Sequence, residues 1–135
     1  MSHPLKPGAV IFTKDLTCMA RFYQELFGLQ LLEREAGHAV LESEHLQLVI
    51  HAIPKQHAKG IHISVPPVLR EEQAIKLFFT VGSLAAARQL AQTLGGGLSP
   101  VSKEWQIEGG LRAFRACDGF DPEGNVLQCR EALKK

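Results

Sequence analysis

The sequence predicts an α+β protein made of two β-α-β-β-β units in tandem. Three observations carry this. The chain opens with an apolar, β-branched run, then an amphipathic helix, then several short strand-like runs. The same order returns 68 residues later. Between the copies lies a stretch broken by proline and glycine.

Residues 8–16, GAVIFTKDL, read as a strand that ends at Asp15. In the following TCMARFYQELFG, Met19, Phe22, Tyr23 and Leu26 fall at i, i+3, i+4 and i+7, one stripe of a helix. Asp15 or Thr17 can cap its start, and Gly28 can stop it. Residues 29–33, 39–42 and 46–52 are the next strand candidates. In the second copy, IKLFFTVGSL (75–84) is a strand ending at a capping Ser83. Leu84, Ala87, Leu90, Ala91 and Leu94 make the helix stripe, closed by Gly95-Gly96-Gly97. Strand candidates follow at 98–101, 111–117 and 126–130. The offset lays Leu16 on Leu84, Phe22 on Leu90, Leu26 on Leu94 and Gly28 on Gly96. A single domain is expected, with modules at roughly 5–53 and 74–131. A linker, 54–73, joins them and holds one strand-like piece, 61–65.

At 135 residues the chain has room for one domain with a real core. Fifteen basic residues nearly balance fourteen acidic ones, so neither nucleic acid nor an anionic membrane is expected as a partner. No window approaches the ~20 apolar residues of a membrane span. The N-terminal MSHPLKPG lacks a signal-type apolar core. Three cysteines, Cys18, Cys117 and Cys129, are an odd number without metal-type spacing. A reducing, cytoplasmic setting is the expectation.

Before the last strand stands Asp121-Pro122-Glu123-Gly124-Asn125. Pro122 fixes φ early in a turn, Gly124 can take φ > 0, and Asp121 can accept backbone N–H bonds across it. This D-P-E-G-N turn, the Phe22-Tyr23…Gly28-Leu29 signature and the paired units resemble the vicinal oxygen chelate superfamily. That group includes glyoxalase I, extradiol dioxygenases, fosfomycin-resistance transferases and bleomycin-resistance proteins. The resemblance covers nearly the whole chain. It implies a curled mixed sheet around a cleft, with helices outside, and a homodimer in which clefts form between chains.

The resemblance also implies where a divalent metal would sit: on the first strand of each unit and near each unit's end. Those positions fall on Gly8, Gln47, Lys76 and Gln128. Glycine offers no donor, an ammonium repels a cation, and an amide oxygen is a weak neutral ligand. No metal and no other cofactor is therefore expected. A displaced site built from His51, His62 and Glu42 is the alternative. The remaining histidines, His38, His45 and His57, fall in turns, and His3 in the tail.

Strand parity sorts the residues further. Gln47, Val49 and His51 share one face, and Leu46, Leu48 and Ile50 the more apolar, helix-side face. The expected ligand-binding set is Phe12, Gln47, His51, Lys76, Phe79, Trp105, Arg112, Phe114 and Gln128, with Val49 among them. Trp105, the one tryptophan, can stack on a planar ligand. Arg112 and Arg115, three apart, face opposite sides of a strand, so one of them can meet an anionic group. No nucleophile motif or phosphate loop occurs, and no catalytic set is named. The expected function is binding of a small organic molecule, as in the bleomycin-resistance branch. The alternatives are a metal-dependent lyase, isomerase or dioxygenase with rearranged ligands, or an interaction module with a vestigial cleft.

Overall fold

Two side-chain caps start the two long helices, and they stand at equivalent places in the repeat. Asp15 accepts a hydrogen bond from the Cys18 backbone N–H at 3.1 Å, and Ser83 accepts one from Ala86 N–H at 3.1 Å. Each satisfies a donor that the first helical turn leaves without a partner. The computed structural model describes residues 3–133. The chain is α+β, with two mixed sheets, and divides into two units between His62 and Ile63.

In the first unit the order is β1 (Gly8–Thr13), α1 (Leu16–Phe27), β2 (Gln30–Arg34), β3 (His38–Glu42), β4 (Gln47–Ala52) and α2 (Lys55–Ala58). The sheet runs β1-β4-β3-β2. β1 is parallel to β4, and the other pairs are antiparallel. The predicted stripe of α1, Met19, Phe22, Tyr23 and Leu26, is buried and packs over β3 and β4. Ala39, Leu41, Leu48 and Ile50 meet it from the sheet, all fully buried. Burying the leucine, isoleucine, methionine and phenylalanine side chains contributes about 1.5–3 kcal/mol each. Gly28 ends the helix at φ 63°, where a Cβ would be strained.

The second unit contains β5 (Leu77–Thr80), α3 (Leu84–Thr93), β6 (Gly97–Leu98), a 3₁₀ turn (Val101–Lys103), β7 (Trp105–Ile107), β8 (Phe114–Phe120) and β9 (Val126–Ala132). The sheet runs β5-β9-β8-β6, and β7 also pairs with β8. β5 is parallel to β9, matching the pairing of β1 with β4. α3 buries Leu84, Ala87 and Ala91. The 121–125 turn is held by Asp121, whose Oδ1 accepts from Glu123 N–H at 2.9 Å and Asn125 N–H at 3.1 Å. Gly124 takes φ 89°, and its backbone lies so near the Val68 carbonyl that a Cβ would collide with it.

Several expected elements differ. Residues 61–65 form no strand; Pro66-Pro67 remove two ladder donors, and the segment runs largely exposed. The strand expected at 98–101 stops at Leu98, because Pro100 lacks an N–H and leads into the 3₁₀ turn. The strand expected from 111 begins at Phe114, after two glycines with positive φ, Gly109 and Gly110. The positive-φ residue after α3 is Gly95 (φ 93°) and not Gly96, and the helix ends at Thr93 with Leu94 as its cap, two residues before the offset implies. His38 lies on β3 and His57 in α2, neither in a turn.

Candidate functional site

Each sheet has one face under its helix and one face turned away from it. On the first sheet the second face carries Gly8, Val10 and Phe12 beside Gln47, Val49 and His51, in register. His38, Val40 and Glu42 continue it on β3. The predicted parity of β4 holds: Leu48 and Ile50 are buried, while Gln47 and Val49 are half-buried and His51 is exposed. Phe12 is 62% exposed.

This face has two chemically different ends. At one, Phe12 and His51 lie 5.7 Å apart, and His38 stacks on His51 at 6.4 Å with planes 17° apart. His51 Nδ1–H donates to the Ala52 carbonyl at 2.9 Å, which fixes Nε2 as the lone-pair nitrogen of the neutral ring. His38 Nε2–H donates to Glu33 at 2.9 Å. At the other end Glu42 is almost fully buried. It accepts from His3 at 2.7 Å and from Gln47 Nε2 at 3.3 Å, and pairs with Lys6 at 3.1 Å. Burial pushes the Glu42 carboxyl up, but hydrogen bonds from Lys6, Gln47 and His3, with His3's charge, outweigh it and leave it below 4.5.

The ends are four residues apart on β4, about 13 Å at strand rise. His51 and Glu42 therefore do not converge, and among the described residues no three His, Cys, Asp or Glu side chains do. At the head of β1, a Cβ on Gly8 would collide with the Gln47 carbonyl oxygen.

On the second sheet the outer face carries Phe78, Gln128 and Asp118 across three strands, then Arg130, Ala116 and Trp105. Gln128 is buried, and its Oε1 accepts from Arg130 Nε at 2.7 Å. The Arg130 guanidinium lies 3.6 Å from the centroid of Phe78 and 4.4 Å from that of Phe114. Trp105 stands edge-on to Phe114 at 5.6 Å. Phe78 is 55% and Trp105 42% exposed. Lys76, just before β5, pairs with Asp118 at 3.1 Å.

Two expected residues, Phe79 and Arg112, stand elsewhere, and Arg115 does not take the place of Arg112. Phe79 is buried on the helix side with Cys129, because the parallel register pairs it there and sets Phe78 beside Gln128. Arg112 is exposed in the loop before β8. Arg115 points to the helix side, between Glu104 and Glu131 at 3.9 Å each. The arginine on the outer face is Arg130, which the sequence reading passed over. Its signal was parity: it is two residues from Gln128 on one strand. Residues 68–73 border a surface hollow that includes none of these side chains.

The chain was compared with known proteins. Residues 6–129 match the family model described as Glyoxalase/Bleomycin resistance protein/Dioxygenase superfamily. Among solved structures, a glyoxalase/bleomycin resistance protein/dioxygenase family enzyme from Burkholderia phytofirmans PsJN is 23% identical, with a TM-score of 0.65 over 93% of this chain and 97% of that one. A glyoxalase/bleomycin resistance protein from Albidiferax ferrireducens T118 is 15% identical (TM-score 0.64, 93% and 97% covered). TioX from Micromonospora sp. ML1 is 12% identical (TM-score 0.60, 96% and 100% covered). At these identities the likeness is one of fold. No curated protein matches the chain.

Proposed function

We propose that this chain, which belongs to the glyoxalase/bleomycin resistance protein/dioxygenase superfamily, binds a small organic molecule without the divalent metal of the family's enzymes. The observation that carries this reading is the state of the four positions where donors would stand. Gly8 has no room for a side chain. Gln47 is tied to Glu42 and Lys76 to Asp118. Gln128 has its amide oxygen engaged by Arg130. An ammonium and two engaged amides do not fit a Zn²⁺, Fe²⁺ or Ni²⁺ ion.

What the outer faces offer instead is aromatic surface with a few fixed polar groups, the usual make-up of a small-molecule site. Phe12, His51 and His38 supply it on one sheet, and Phe78, Phe114, Trp105 and Arg130 on the other. A homodimer belongs to the same reading: Val10 and Phe12 are both more than half exposed, and a second chain would cover them.

Native mass spectrometry of the purified protein tests this. The expected spectrum is a species at twice 14.9 kDa, free of stoichiometric metal and able to take up an added aromatic compound. Stoichiometric nickel, iron, zinc or manganese would overturn the metal-free reading. A monomer at micromolar concentration would overturn the dimer.

A further inference from the structure

We propose that Arg130 is the anion receptor of the second sheet, and that the molecule bound there is a planar aromatic carrying a carboxylate. This rests on the small-molecule reading above and names the class of ligand. The acids around Arg130 are committed elsewhere. Asp118, on the same face, holds Lys76, while Glu131 and Glu104 lie on the helix side, paired with Arg115 and Arg88. Among the described residues no carboxylate pairs with Arg130. A half-buried guanidinium without a counter-charge is uncommon, because desolvation costs it hydration that nothing negative restores.

Its position is also fixed in advance. Phe78 and Phe114 hold it by cation–π contact, and Gln128 takes its Nε–H. One N–H of the five is thereby spent, and the planar fork that matches a carboxylate is held at low entropic cost. The exposed ring of Phe78 lies against this cation, and Trp105, also partly exposed, stands against Phe114, the cation's other ring contact. A flat ring attached to the carboxylate has surfaces to stack on there. Lys76 does not compete for the anion, being paired already. Gln128 thus serves the site by positioning Arg130, where a glutamate would neutralise it.

Trp105 is the only tryptophan, so its fluorescence reports this face alone. The test titrates the full-length protein with 4-nitrobenzoate and with its neutral isostere 4-nitrobenzamide. Saturable quenching is expected from both, with the acid bound about tenfold tighter or more. Arg130→Gln should reduce that preference to about unity. Arg130→Lys, which keeps the charge and loses the fork, should leave a preference of roughly threefold. Acid and amide binding wild type equally would overturn the inference while leaving small-molecule binding in place, and this arm needs no variant to fold. Retention of the preference in Arg130→Gln would also overturn it. Absence of quenching by either probe would remove the inference, whereas the metal-free reading is judged separately by the mass spectrum.

Discussion

At the scale of single residues, the same amide performs opposite services in the two units. Gln47 donates to a carboxylate, and Gln128 accepts from a guanidinium. Each partner is a charge on a partly dry sheet face, and each amide fixes its orientation. Glu42 gives a pH prediction. Its folded value is depressed, so its contribution is present above 4.5 and is lost as pH falls below that value. Glu42→Gln is expected to be less stable than wild type at pH 7, and the gap should narrow by pH 3.5; denaturant titrations at both values check this. A gap that is constant with pH would mean that Lys6 and His3 do not stabilise the ionised form. Parity alone places Gln47, Val49 and His51 on one face of β4, and the sheet sets that face away from α1. Phe78 and Phe79 were harder, because two adjacent phenylalanines on a four-residue strand look alike until β9 sets the register. Arg130 stayed hidden for a related reason: its aromatic partners come from β5 and β8, distant in sequence.

At the scale of elements, the long ones were legible and the short ones were not. The stripe of α1 is buried as the periodicity named it, and that of α3 is buried except at Leu90, which is exposed. β2, β3 and β4 fall within a residue of expectation, while β1 ends at Thr13, two residues before Asp15. β7, with three residues, has too little pattern to read and is defined only by pairing with β8. The helix starts offer a test of the repeat. Asp15→Ala and Ser83→Ala should each destabilise by about 1 kcal/mol, the usual worth of a side-chain N-cap. The two caps belong to different units, so their costs should add in the double variant within about 0.5 kcal/mol. Thermal melts of the two singles and the double measure this. A null effect at either position would show that the first turn draws its stability from packing alone.

At the scale of the whole molecule, cysteine chemistry reports how rarely the second unit opens. Cys117 and Cys129 are fully buried. Burial, reinforced by Cys117 and partly offset by Arg88, pushes the Cys129 thiol up to about 12. Burial likewise raises Cys117, against the pull of Arg88. The thiolate is the reactive form, so both should resist a maleimide at pH 7 while half-buried Cys18 labels first. Mass spectrometry of timed samples should show one label early, with two more only under denaturant. Early triple labelling would mean frequent opening of the β8–β9 pair. Gly8 carries a last consequence. Because β1 runs so tightly against the Gln47 carbonyl, position 8 itself cannot take a chelating side chain unless the strand pairing loosens first. Descendants of this sequence selected to capture a cation would reach that end by remodelling somewhere else, which makes the head of β1 a one-way door.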